Sequence, residues 1–235
     1  MSTRSRVSRD VLSMTWRDVL FAHWPVDPDV VAPTLPEGLS VDTDAEGRAW
    51  LSVVGFVMDD IRPRFSPVGL SFPELNLRTY VRQEGAGGVY FYNLDADDRL
   101  GVGVARRLFQ LPYYRAEMAV TDRGDRVHFR SHRTHDGVPP ADFDAILTPA
   151  SDPEPVAPGS LDAFLVERYR FFAADDDGRL YYGDIDHDPW RVAEATLSVR
   201  ENTLFEAAGF DRPGGDPVVR YCPELPVTAG RLRRS

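Results

Sequence analysis

From Glu74 on, every second residue of the run FPELNLRTYV (72–81) carries a group able to do chemistry: Glu74, Asn76, Arg78 and Tyr80. A strand puts alternate side chains on one face, so a carboxylate, an amide, a guanidinium and a phenol would share one wall. Such a wall can fix an anion through the guanidinium and exchange a proton through the carboxylate. Two phases are open. In one the polar row lines an interior; in the other it meets solvent, and Leu75, Leu77 and Val81 fill a core.

The second feature is the phenol pair of QLPYYRAEM, Tyr113 and Tyr114. Adjacent strand residues point to opposite faces, so one of them alone can line a pocket. A phenol titrates near ~10. It can serve as a hydrogen-bond donor or acid toward a carbonyl or carboxylate. All 27 basic residues are arginine, and the chain has no lysine.

The other reactive types point to structure. His128, His132 and His135 would share one face on a helix, but VHFRSHRT is strand-like and aligns only the first two, so no metal is expected. His187, ahead of Pro189 and Trp190, reads as a structural latch, with a base as the alternative. His23 reads as a satisfied core or interface group. Cys222, alone of its kind, excludes an internal disulfide and reads as buried filler in PVVRYCPEL. GAGG at 85–88 lacks a following helix or lysine, and GVGVARR is too weak a pattern, so no nucleotide cofactor is expected.

Behind these residues stands an ordinary globular composition of 235 residues, 43% apolar and 27% charged. The net charge of −10 repels phosphate backbones, so no nucleic-acid partner is expected. Twenty-six aspartates against 11 glutamates, with arginine as sole base, suggest life in high salt or a GC-rich genome. The salt reading is preferred because a dense carboxylate surface keeps a protein solvated there. The polar N-terminus and the lack of an apolar run of about 18 residues point to a cytoplasmic protein without a membrane partner.

The elements that must position the site are mostly short strands: AWLSVVGFVM, FPELNLRTYVRQ paired as a hairpin with GGVYFYNLD, YRAEMAVTD, RVHFRSHRT, GRLYYGDI, EATLSVR and DPVVRYCPE. Helices are expected where Trp16, Val19, Leu20 and His23 share helical spacing, after the cap Asp27-Pro28, after Asp97, after Ser160, and at NTLFEAAGF. Residues 131–160 read as a loop-dominated excursion. The expectation is an α+β fold, mainly antiparallel β, closed into a barrel with flanking helices. One domain at 15–225 would lie between a flexible tail (1–14) and a basic one (226–235).

Six motifs in order carry a resemblance: FAHWPVDPDVVAPTLPEGLSVDT, FPELNLRTYVR, GVYFYNLDA, ARRLFQLPYYRAEM, ERYRFF and HDPWRVAEA. Together they resemble the conserved family called domain of unknown function 2071, or YqjF-like, from about Trp16 to Cys222. That family is in turn similar to the acetoacetate decarboxylase superfamily, which implies a cone-like antiparallel barrel with an interior pocket. The resemblance puts Glu74 near a carboxylate position, Arg106 on an arginine, and Gln110 to Tyr114 on the segment that ends in a lysine pair.

In the decarboxylase one of those lysines forms a Schiff base, and its neighbour lowers the amine's pKa. Tyr113 and Tyr114 stand there instead, with Tyr113 on the first position. A phenol cannot form an imine, so lysine Schiff-base chemistry is excluded. The expected function is a pocket for a small organic acid or carbonyl compound, lined by Glu74, Asn76, Arg78, Tyr80, Arg106 and Tyr113. An enzyme using Glu74 or Tyr113 as acid–base catalyst, and a barrel packed shut, are the alternatives. Association into a homo-oligomer stays open.

Overall fold

Burial does not alternate along β3 (Ala49–Pro63) and β4 (Leu70–Gln83), whose central residues are covered on both faces. The computed structural model describes residues 11–63, 65–97, 111–175 and 177–235. In chain order the strands are β1 (Leu12–Val26), β2 (Ser40–Val41), β3 (Ala49–Pro63), β4 (Leu70–Gln83) and β5 (Ala86–Ala96). Then come β6 (Tyr113–Asp122), β7 (Val127–Arg133), β8 (Asp142–Pro149), β9 (Glu154–Pro155), β10 (Arg170–Ala174) and β11 (Leu180–His187). The last are β12 (Arg191–Asn202), β13 (Val218–Ala229) and β14 (Arg233–Arg234). Three α-helices are described, α1 (Pro28–Val31), α2 (Leu161–Val166) and α3 (Leu204–Ala207), with a 3-10 turn at Ala32–Thr34 after the first.

Five strands form an antiparallel slab in the order β13–β1–β3–β4–β5. Both of its outer strands fork. The free edge of β5 takes β10 beside Val89 and Tyr90, and β6 beside Leu94 to Ala96. The free edge of β13 takes β12 beside Arg220 and Tyr221, and β11 beside Val227 to Ala229. The arch β6–β7–β8–β12 leaves one side of the slab and rejoins it, and so does the shorter arch β10–β11. The fold is thus mostly β, with two rings of strand pairing that share the slab.

Each ring encloses its own core. Under the long arch Leu20, Ala22, Leu51, Val53, Leu75 and Leu77 meet Phe129, Phe143 and Leu147. Under the short arch Phe21, Val54, Phe56, Met58, Val89 and Leu94 meet Phe171 and Trp190. The polar row of β4 points to this second side and is buried, as in the first phase, while the apolar row fills the other core instead of standing against solvent.

Several expectations change. Residues 12–26 are a strand rather than a helix. Asp18, at φ 54°, sits in a bulge where the register to β3 slips between Arg17 and Leu20. The extra residue brings Trp16 and Val19 to one face at a spacing of three, which imitates a helix. The excursion at 131–160 contains β8, whose Phe143, Ala145 and Leu147 alternate inward. The expected tails also carry structure: β1 begins at Leu12, β13 runs to Ala229, and Arg233 and Arg234 pair with Tyr182 and Tyr181 of β11. The expected caps at α1 and α2 are formed. Asp27 accepts from Asp29 N at 2.9 Å, and Ser160 Oγ accepts from Ala163 N at 3.1 Å. The helix expected after Asp97, and Arg106, lie outside the described residues. No described helix is long and apolar enough to cross a membrane.

Candidate functional site

The short-arch side holds a cavity of about 110 Å³. Glu74 and Arg78 reach it from β4, Tyr113 from the first position of β6, and Trp16, Phe56 and Met58 from β1 and β3. Phe171 of β10, Ile185 of β11, Val166 of α2 and Trp190 close the rest.

Glu74 is the chemical centre. Its side chain is buried, with Oε2 accepting from the Tyr113 hydroxyl at 2.7 Å and Oε1 from Asn76 Nδ2 at 3.3 Å. Burial in an apolar wall penalises the carboxylate more than these donors stabilise it, so its pKa rises to about 7. Tyr113 is pushed well above the usual phenol range by burial and by the adjacent Glu74, so it stays a donor.

Arg78 is the cation of the site. Its guanidinium is buried and lowered from its usual pKa chiefly by desolvation, yet an arginine keeps its charge. Nη2 reaches the Leu165 carbonyl at a long 3.5 Å, Nε has no hydrogen-bond partner, and no described carboxylate lies within ion-pair distance. The other arginines on the wall are neutralised: Arg168 by Asp42 at 2.8 Å and Arg170 by Asp184 at 2.7 Å. A buried guanidinium without a counter-ion carries a desolvation cost that no described carboxylate offsets. Buried indole N–H groups of Trp16 and Trp190, both on the cavity wall, also lack acceptors.

Tyr80, expected on the same wall, stands one step away. Its hydroxyl donates to the Leu165 carbonyl at 2.9 Å and lies 2.9 Å from Ser52 Oγ and 3.1 Å from His23 Nδ1. Ser52 Oγ and His23 Nδ1 are 2.7 Å apart. Burial and the charge of Arg78 hold His23 well below its usual pKa, hence neutral. This knot ties α2 to the slab and orients the row that Arg78 belongs to.

The remaining sequence candidates fall elsewhere. Tyr114 faces the opposite side, with the Arg133 guanidinium 4.7 Å from its ring. His128 and His132 sit on the outer sheet and pair with Asp144 at 2.8 Å and Asp142 at 2.6 Å. No group of three or more metal-ligating side chains occurs among the described residues. His187 is buried, donates Nδ1–H to the Asp188 carbonyl at 2.8 Å and stacks on Tyr169, as a latch would. Cys222 is buried and its thiol raised to about 11 by desolvation. Sequence reasoning missed Trp16, Phe91, Arg168, Arg170 and Trp190 as wall residues; in HDPWRV it placed Trp190 in a latch with His187 and not on a cavity.

The family model DUF2071, described as an uncharacterized conserved protein, matches residues 13–226. The chain belongs to this family. The uncharacterized protein YqjF of Bacillus subtilis (strain 168) is 41% identical over 227 residues, 95% of this chain and 92% of that one. Solved structures share the fold at low identity. Acetoacetate decarboxylase from Legionella pneumophila superposes with a TM-score of 0.66 at 14% identity, over 99% of this chain and 93% of that one. The enduracididine biosynthesis enzyme MppR, complexed with pyruvate, gives 0.65 at 14%, over 99% and 93%. An acetoacetate decarboxylase-like enzyme from Sphingomonas wittichii RW1 gives 0.64 at 16%, over 100% and 97%. The DUF2071 chain therefore has the acetoacetate decarboxylase-like fold, with Tyr113 and Glu74 joined by a hydrogen bond inside it.

Proposed function

We propose that this DUF2071 protein binds a small organic acid or carbonyl compound inside a barrel-like enclosure. The ligand's anionic end sits on Arg78, and its reactive carbon faces the Glu74–Tyr113 pair. One observation carries the reading: a buried guanidinium without a carboxylate partner borders the same cavity as a carboxyl group with a pKa of about 7. At about 110 Å³ the space equals roughly three to four waters at ~30 Å³ each. That matches an acid of two to four carbons and falls well below the ~300 Å³ of drug-sized sites. MppR, bound to pyruvate in one of its structures, supports this size class by analogy of fold. Without lysine the ligand is held by charge and hydrogen bonds, not as a lysine imine.

The test is a thermal-shift titration with pyruvate and other short keto and hydroxy acids near pH 6. Binding raises the midpoint by mass action. The shift is expected in the parent protein and lost in Arg78→Met. No shift in the parent, or an equal shift in both, overturns the assignment.

The pKa of Glu74 also favours an enzymatic reading, since a group poised near 7 takes and returns protons efficiently. Glu74 would remove a proton from the carbon beside a ligand carbonyl, Arg78 would favour the resulting enolate, and the same proton position would then be refilled from water. Proton NMR of pyruvate in D₂O reads this as loss of the methyl signal. Loss that persists unchanged in Glu74→Gln, or no loss with the parent, removes the enzymatic reading and leaves the binder.

A further inference from the structure

The inner cavity must be filled from outside, and among the described residues its wall shares side chains with three surface hollows. At one, Leu12 is the shared residue, but the backbone there is closed on both sides by pairing with Pro63 and Ala229. At another it is Arg168, which is pinned by Asp42 at 2.8 Å and by the Phe164 carbonyl at 2.6 Å. The third differs. It is a hollow of about 550 Å³ that includes Tyr90, Tyr92, Tyr114 and Phe172, and it shares two residues, Phe91 and Leu111, with the inner cavity.

The strand pairing explains the third approach. Along its outer edge β5 is covered by β10 as far as Tyr90 and by β6 from Leu94 onward. Neither of these strands covers Phe91 to Asn93. At the same place the register between β4 and β5 slips, Leu77 pairing with Asn93 and Arg78 with Phe91, so Tyr92 is the extra residue of a bulge. Among the described residues, the fork that sends β10 to one side of the slab and β6 to the other therefore leaves a slot in the wall. Its closing side chains are apolar and can swing without breaking a hydrogen bond or an ion pair.

We propose that small molecules enter the inner cavity through this slot between β6 and β10, and that Phe91 and Leu111 set the width of what passes. The inference rests on the reading of the inner cavity as a ligand site only for its biological use. Passage itself can be measured without any ligand.

Trp16 and Trp190, two of the four tryptophans, line the inner cavity, while Trp24 and Trp50 are buried away from it. A difference in acrylamide quenching of tryptophan fluorescence between the full-length parent and a variant therefore reports entry. Phe91→Ala and Leu111→Ala should each raise the quenching constant about twofold or more. Leu111→Phe should lower it, and Leu12→Ala, a truncation of the same kind at the closed approach, should leave it at the parent value. Far-UV dichroism confirms that each variant is folded. Equal quenching in the parent and both slot variants, or an equal rise in Leu12→Ala, overturns the proposal. These results stand whether or not pyruvate binds, so this proposal and the ligand assignment fail separately.

Discussion

The two faces of the slab are made from alternate residues of the same strands, yet they are built to opposite ends. Under the long arch the packing is tight. A methyl group added at Gly55 would come within 3.1 Å of Leu75 and 3.3 Å of Phe129. The charge buried there is fully matched: Arg133 grips Asp95 through Nε at 2.7 Å and Nη2 at 2.9 Å. Under the short arch a carboxyl group and a guanidinium share a cavity wall without forming an ion pair, and indole donors have no acceptors. One face pairs its buried charges, while the other leaves a buried guanidinium without a carboxylate and two indole donors without acceptors among the described residues. Burying polar groups without partners costs free energy that packing elsewhere in the fold must offset.

The contrast can be broken most sharply on the packed face. Arg133→Ala leaves the buried Asp95 alone and should cost about 3–5 kcal/mol in urea unfolding. A loss under about 1 kcal/mol would mean that the pair contributes little, and the division of labour would fall.

On the cavity face the sign reverses. The folded pKa of Glu74, about 7, exceeds its ordinary 4.5. Between those values the folded protein holds a proton that the unfolded chain has lost, so stability falls as pH rises through that window. Glu74→Gln removes this loss. It should be about 3 kcal/mol more stable than the parent at pH 8 and nearly equal at pH 4. Chemical unfolding at the two pH values checks it, and a variant less stable at pH 8 refutes it.

Tyr113→Phe sharpens the same point. It withdraws a hydrogen bond from Glu74, which matters most when Glu74 is charged. The expected cost is about 1.5–3 kcal/mol at pH 8 and less at pH 5, read from the same unfolding curves. The smallest effect belongs to α2, which caps the cavity. Ser160→Ala should cost about 1 kcal/mol through the lost cap, with no pH dependence across this range.

How much of this the sequence revealed depends on the element. That Glu74, Asn76, Arg78 and Tyr80 form one row of β4 was legible from period-two alternation, and the motif resemblance favoured Tyr113 over Tyr114, but which way the row faces was left open by both. The double burial of that strand was not, since a strand between two cores offers no polar side to read. In β1 the bulge at Asp18 turned a strand into an apparent helix. In β8 the inward Phe143, Ala145 and Leu147 were hidden by flanking prolines and aspartates. Wall residues such as Trp16 and Trp190, far apart in the chain, meet only through the fork of β13 and β5, a tertiary fact with no local signature.

The shared slab has a consequence for how such a chain can diversify. A substitution on β1, β3 or β4 disturbs a strand that serves both interiors, so innovation there is held hostage to the scaffold. The β10–β11 arm borders one interior only. Relatives with altered appetites should therefore differ first in that arm, around Phe171 and Ile185, while the middle of the slab stays much the same.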